Sequence, residues 1–330
     1  NIYMEQSAVR DGVTAEEVKG ILLGMASGQE TLLGYFRRFI RNFEKRVGIN
    51  RTVGSLRAYS NAYSHIERFL QAQYKLSDIP FSALDRSFID KYDLYLRTER
   101  NLAPGTIINL TVQLKTIVGE AIADGIITAS PFMGYEPVRP KHVQKYLTAE
   151  ELHRIMTTPL HRQPLYHVRD MFLFSCFTGI PYGDMRLLTK DNLCLAEDGI
   201  WWIKSARQKT KIEFEIPLLD LPLQILKKYS GTAPGDKLLP MYCNSTLNLY
   251  LKEIARICHI DRPLVFHAGR HTYATEITLS HGVPLETVSR MLGHSQIETT
   301  QIYAKVTDEK IDADTKALNR KISERFSVVI

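Results

Sequence analysis

The chain has 330 residues, 44% apolar and 24% charged, and its 42 basic and 36 acidic side chains give a net charge of +6. That length exceeds one ordinary hydrophobic core and predicts two domains, while the composition excludes a disordered or fibrous chain. No apolar run approaches the roughly 18–20 residues of a membrane span, and the first residues lack a signal peptide's layout, so a cytoplasmic protein with no membrane partner is expected.

The charge is unevenly spread. Residues 1–30 are net −3, residues 31–145 net +7 and residues 146–330 net +2. A basic middle segment points to a polyanion, because neutralising phosphates releases counterions, although a merely solvated surface explains the charge alone equally well. Cys176, Cys194, Cys243 and Cys258 are widely spaced without a C-x-x-C pair. This argues against a zinc knuckle, fits a reducing compartment and reads as four buried small hydrophobes.

In chain order, Thr14 and Glu17 form a capping-box pattern that predicts a short helix over 15–25. Since position 1 is Asn rather than Met, this helix is expected to connect to an upstream module. Four stretches between 31 and 135 repeat apolar residues at three- and four-residue spacing, broken by Gly, Pro and Asn, and predict a compact four-helix domain. Arg37, Arg38, Arg41 and Arg57 interleave with Tyr59 and Tyr63 in its first two helices, as on a DNA-facing surface, though such aromatics are more often core. Residues 136–146, with Lys141 and Lys145, are rich in proline and basic residues and read as an extended linker.

A second domain opens at another capping box, Thr148 with Glu151. "RDMFLFSCFTGI" predicts an apolar helix closing at Gly179. "GIWWIKSARQKTKIEFEIPL" predicts a hairpin or small three-stranded sheet ended by Pro217, followed only by helix. In "FHAGRHTYATEITL" a helix carries His267 and Arg270 on one face near its start, where free backbone N–H groups also attract anions, a corner suited to phosphate. "VPLETVSRMLGH" predicts a helix with Pro284 in its first turn and Gly293 as its stop, delivering His294. Ser295 and Glu298 then suggest a third capping box, with Tyr303 about two turns into the next helix.

Each residue has a plainer reading. Tyr303 is one of sixteen tyrosines and reads alone as a core aromatic. His267 and His271, with His281 or His294, would suit zinc, but no H-E-x-x-H motif accompanies them, and His271 reads as a structural helix histidine. Lys209, in the turn of the hairpin, is ordinarily just solvated.

The order H-x-x-R at His267–Arg270, "LGH" ending at His294 and a tyrosine nine residues later resembles the tyrosine recombinases, or phage-type integrases. "RPKHVQKYLTAEEL" and "FTGIPYGDM" are most similar to integrases of conjugative transposons and other mobile elements of Bacteroides-type bacteria. The resemblance implies a mainly α protein: a connector over 1–30, a four-helix core-binding (SAM-like) domain over 31–135, the 136–146 linker, an α-rich catalytic domain with a small antiparallel sheet over 147–315, and a protomer-docking tail over 316–330. It implies that Tyr303 attacks a DNA phosphodiester to form a 3′-phosphotyrosyl bond, with no metal or other cofactor. Arg270 and His294 would then stabilise the phosphorane, His267 would act as general base, and Lys209, or less favourably Lys211, would protonate the leaving 5′-oxygen.

Where the family reads "TGLR" this chain has "TGIP", so Pro181 stands in place of an arginine. Arg186 lies about 140° around a helix from position 181 and points away. Arg207 would share a strand face with Lys209 and is the favoured substitute. The implied partners are double-stranded recombination sites, a homotetramer on DNA and DNA-bending accessory proteins, in a bacterial, nucleoid-associated setting. The alternatives are a DNA-binding accessory protein on the same fold that cleaves weakly, and a metal-dependent hydrolase using the clustered histidines.

Overall fold

A computed structural model describes residues 15–26, 28–139, 145–303, 312, 315–316, 318–320 and 322. The chain divides into two compact units, Asn1–His142 and Val143–Ile330. Thr14, Lys141 and most of the tail beyond 316 lie outside the described residues.

The first unit contains α1 (Ala15–Ala26), α2 (Leu32–Glu44), α3 (Val53–Phe69), α4 (Arg86–Thr98) and α5 (Pro104–Ala123). The apolar stripes converge on Phe69, whose ring meets those of Tyr74, Phe88, Tyr92 and Tyr95. Side chains of this size each contribute about 1.5–3 kcal/mol when buried. The helix starts are satisfied locally or from afar: Asp85 caps α4 through the Phe88 N–H, and Asp78 accepts from the Leu33 and Gly34 N–H groups at the start of α2. Pro104 opens α5, where its missing N–H costs nothing.

Arg37, Arg38, Arg41 and Arg57 are all exposed. Tyr59 and Tyr63 are not: they pack edge-on against Phe36 and belong to the rim of the core. Arg37 donates to the Tyr63 hydroxyl at 2.5 Å, and Arg38 is engaged by Glu30 at 2.8 Å. Arg41 and Arg57 have no hydrogen-bonded or ionic partner among the described residues.

The second unit is built around α7 (Gln163–Thr178), which is apolar on most of its circumference and therefore buried nearly all round. Around it stand α6 (Ala149–Thr157), the one-turn α8 (Tyr182–Met185), α9 (Asp220–Lys228), α10 (Asn244–Ile257), α11 (Ala268–Thr272), α12 (Leu285–Met291) and α13 (Glu298–Gln301). Both halves of the Thr148–Glu151 capping box form. The sheet is antiparallel in the order β1 (Leu193–Leu195), β2 (Trp201–Ala206), β3 (Glu213–Pro217). Ile203, Phe214 and Ile216 face the core, and Pro217 is the last strand residue.

Several expectations are corrected here. Of the hairpin and the three-stranded sheet expected, the sheet forms, but its third strand, β1, lies before the stretch that predicted it, where three residues are too few to show alternation. The helix expected over 266–279 is regular only as α11, then widens into a π turn over Tyr273–Thr278. There the Thr278 hydroxyl bonds the Tyr273 and Ala274 carbonyls, competing with the regular ladder. The Ser295–Glu298 capping box does not form: α13 begins after Ile297 without a side-chain cap, is one turn long, and leaves Tyr303 in the turn beyond it. Cys243 is exposed and Cys194 half-buried, and only Cys176 and Cys258 are buried.

Gly179 ends α7 at φ 70°, and a Cβ there would lie 2.5 Å from Tyr273 Cδ1 and 2.8 Å from Leu292 Cδ2. Gly179→Ala combines left-handed strain with overpacking, so a loss of about 2–4 kcal/mol is expected. Urea unfolding measures it directly, and a change within error of zero would contradict this packing.

Candidate active site

The site follows from two helix endings. At the end of α12, Gly293 adopts φ 63°, the Gly293 N–H bonds the Arg290 carbonyl, and the His294 N–H bonds the Ser289 carbonyl. This paired closure is a Schellman motif. It leaves the Leu292 carbonyl without a helical partner. Two guanidinium groups occupy that carbonyl, Arg270 Nη2 at 2.6 Å and Arg207 Nη1 at 3.0 Å. Arg270 also donates to the carbonyl of Gly179, the stop of α7, at 2.9 Å. The glycine at 293 serves a second purpose, since a Cβ there would lie 2.9 Å from Arg207 Cγ.

A cavity of about 780 Å³ opens over this corner. Lys145, Arg207, Lys209, His267, Arg270 and His294 line it, and Tyr303 and His271 complete it. Tyr303, Arg270, Arg207, His294, His267 and Lys209 are thus on one surface of the second unit, whereas the less favoured Lys211 does not line the cavity. Lys145 is held there by its neighbours: the Leu147 N–H donates to Thr272 Oγ1, and Arg262 bridges Glu151 and the Tyr146 carbonyl.

Arg207 arrives by a different route from the one expected. β2 ends at Ala206, so Arg207 and Lys209 share no strand face. The Lys211 N–H bonds the Arg207 carbonyl, with Lys211 at φ 61°, and this tight turn carries Lys209 into the cavity while leaving it exposed. Arg207 itself is set by Asp184 in α8, with Nε 2.6 Å from Asp184 Oδ2 in an ion pair rather than an aligned hydrogen bond. Asp184 Oδ1 also accepts from the Gln208 N–H at 2.8 Å. Arg186 is exposed and does not line the cavity.

Arg270 is only 3% exposed. Burial, and then the nearby Arg207 charge, lower its pKa to about 10, so it remains a cation near neutrality. Tyr303 is 7% exposed; burial raises its phenol pKa while Arg270 and Arg207 pull it down. Its ring stacks parallel to His294 with centroids 6.3 Å apart. The imidazole in edge contact with Tyr303 is His271, at 5.1 Å, with His267 behind it at 4.9 Å from His271. The sequence reading favours a structural helix histidine at 271 over a zinc ligand. His267 sits exposed at the cavity mouth, where the concave surroundings and then Arg270, Arg207 and Lys145 lower its pKa.

Burial followed by neighbouring cations lowers both His271 and His294 to about 4. An unfolded histidine titrates near about 6.5, so between those values the unfolded chain binds protons that the folded one does not, and stability falls as pH falls. From pH 7 to pH 5 the expected loss is about 1–2 kcal/mol for each of the two. Urea midpoints at the two pH values measure it, and a His271→Gln/His294→Gln variant should show a correspondingly flatter dependence.

Sequence reasoning did not find Asp184, Thr300 or the Leu292 carbonyl. Thr300 is fully buried and its Oγ1 lies 2.7 Å from His294 Nδ1. Among the described residues no group of three His, Cys, Asp or Glu side chains is placed to hold a metal, and no helix is long and apolar enough to cross a membrane.

A buried tyrosine beside clustered arginines, histidines and a lysine, on a helical unit with a three-stranded sheet, defines the class of enzymes that transfer DNA strands through tyrosine. Residues 145–310 match the phage integrase family and residues 31–137 the phage integrase SAM-like domain, and the chain belongs to the phage integrase family. It is 26% identical over 273 residues to the tyrosine recombinase XerD of Listeria monocytogenes, covering 78% of this chain and 89% of that one. It is likewise 26% identical over 297 residues to XerD of Staphylococcus saprophyticus, covering 86% and 96%. The Tn1549 transposon integrase in complex with transposon right end DNA has the same fold, with TM-score 0.67 at 19% identity over 88% of this chain and 99% of that one. The lambda integrase dimer bound to a COC′ core site gives TM-score 0.67 at 18% identity over 84% and 100%. The protein is a tyrosine-type site-specific recombinase, an enzyme that breaks and rejoins DNA strands. The metal-hydrolase alternative falls with that assignment.

Proposed function

We propose that the chain integrates or excises a mobile element, using Tyr303 as nucleophile and Arg207 in place of the arginine absent at Pro181. The observation that carries this reading is the convergence of Tyr303, Arg270, Arg207, His294, His267 and Lys209 on one cavity. The Tyr303 oxygen attacks phosphorus, the P–O5′ bond breaks and a 3′-phosphotyrosyl bond forms. The phenol proton passes to His267, with His271 between the two rings, and Lys209 gives a proton to the departing 5′-oxygen. Arg270 and Arg207 hold the growing charge on the nonbridging oxygens from fixed positions, which spares reorganisation at the moment of reaction. Return of the 5′-hydroxyl of another strand reverses these steps, so no cofactor is required.

Phosphate contacts by Arg37, Arg41, Arg57, Lys145 and Lys141 supply non-specific affinity, with Arg38 contributing less because Glu30 engages it. The mobile-element setting is supported by the Tn1549 integrase bound to transposon end DNA. Assembly on DNA is read as a homotetramer, the 316–330 tail docking on a neighbour, with DNA-bending accessory proteins, in the bacterial cytoplasm at the nucleoid.

The test uses a nicked duplex carrying the end of the element that encodes the chain, with chelator present. Wild type should form a covalent adduct in chelator, and its binding should weaken steeply as salt rises. Specific binding without any adduct would favour the accessory-protein alternative and withdraw the catalytic roles.

A further inference from the structure

We propose that Thr300 is a positioning residue for His294, holding the ring with its proton on Nδ1 in the free protein and letting Nε2 become the donor when a phosphate enters. The inference rests on the recombinase reading of this cavity. His294 is contacted at both ring nitrogens: Nε2 lies 2.8 Å from Arg270 Nη2, and Nδ1 lies 2.7 Å from Thr300 Oγ1. A guanidinium has hydrogens to give and no lone pair to accept with. His294 Nε2 must therefore present its lone pair to Arg270, which puts the ring proton on Nδ1 and makes Thr300 the acceptor.

That arrangement suits the free site and not the loaded one. A phosphate oxygen is also an acceptor, so a His294 with a bare Nε2 offers it nothing. When phosphate takes the Arg270 hydrogens, Nε2 loses its donor and needs a proton of its own to bond the phosphate. Nε2 takes a proton from solvent, the ring passes briefly through the imidazolium, and the Nδ1 proton then returns to solvent, so the ring is neutral before and after. Nδ1, now bare, needs a donor, and Thr300 provides one by turning its hydroxyl. A hydroxyl both accepts and donates, whereas a carboxylate or carbonyl can only accept. Thr300 is fully buried, so water does not stand in for it. It also tethers the nucleophile, since its carbonyl accepts from the Tyr303 N–H at 2.9 Å.

The experiment reads the tautomer and the rate together. In histidine-labelled Tyr303→Phe protein, with the His294 signal assigned by His294→Gln, nitrogen NMR should show Nδ1–H in the free protein and Nε2–H on the element-end nicked duplex. On the Tyr303 background, Thr300→Val keeps the shape and removes the hydroxyl; single-turnover cleavage should fall about 10–100-fold with duplex binding unchanged. Thr300→Ser should return cleavage to within about threefold of wild type, because the hydroxyl is restored. An Nε2–H tautomer in the free protein, the same tautomer in both states, or Thr300→Val cleaving like wild type would each overturn the proposal. A wild type that forms no adduct instead overturns the recombinase roles, and the free and bound spectra still decide the tautomer question.

Discussion

Tyr303→Phe is expected to bind the element-end duplex as wild type does while forming no covalent adduct, with cleavage slowed at least ~10,000-fold, the scale at which loss of a nucleophile is felt. The chemical reason is that the phenolic oxygen beside Arg270 and His294 is lost; Tyr146 also lines the cavity, and the adduct assay shows whether it can substitute. The structural reason is that the ring survives the change. Tyr303 packs with Tyr273, Val288 and Leu292, contacts that phenylalanine keeps, and its backbone N–H still bonds the Thr300 carbonyl. The loss should therefore sit entirely in the chemical step. A Tyr303→Phe protein that still forms adduct would move the nucleophile to another tyrosine.

The second large effect is expected at Arg207. Arg207→Ala should slow cleavage about 100–1,000-fold, the range for removing one fixed donor from a developing oxyanion, whereas Arg186→Ala should leave it unchanged. Arg207 is also the ionic partner of Asp184, which is 5% exposed. Removing a buried charge's partner destabilises by about 3–5 kcal/mol, so a dead Arg207→Ala variant could be an unfolded one. Arg207→Ala/Asp184→Asn removes both charges and separates the two effects: stability should recover largely while cleavage stays low. Arg207→Lys keeps the charge without the planar fork and should fall in between. If the double variant regains wild-type cleavage, Arg207 is a structural residue and Pro181 has no substitute in the cavity.

The parts of the site legible in the sequence were those fixed by neighbours along the chain. The stops at Gly179 and Gly293, the Thr148–Glu151 box and the three-residue step from His267 to Arg270 all depend on local geometry. What could not be read depends on which elements meet. Asp184 sits in a stretch whose "TGIP" drew attention, yet nothing nearby in sequence says that it reaches the hairpin. Thr300 was passed over for Ser295 and Glu298, whose capping pattern the short α13 does not use. Arg207 reached the cavity through a turn where strand alternation had been invoked, because Lys211 in the left-handed region bends the chain early. The Leu292 carbonyl, which binds both arginines, follows from the Gly293 stop only once those side chains are known to arrive there. Arg41 and Arg57 kept their expected exposure, while Tyr59 and Tyr63 went to the core rim, as aromatic bulk outweighs surface patterning.

The most direct measurement is mass spectrometry of the peptide left on DNA after wild type is trapped on the nicked duplex in chelator and digested. The expected species is the peptide containing Tyr303, joined through its phenolic oxygen to the 3′-phosphate, with a free 5′-hydroxyl on the released strand. A linkage through another residue, attachment to a 5′-phosphate, or an adduct that chelator abolishes would contradict it.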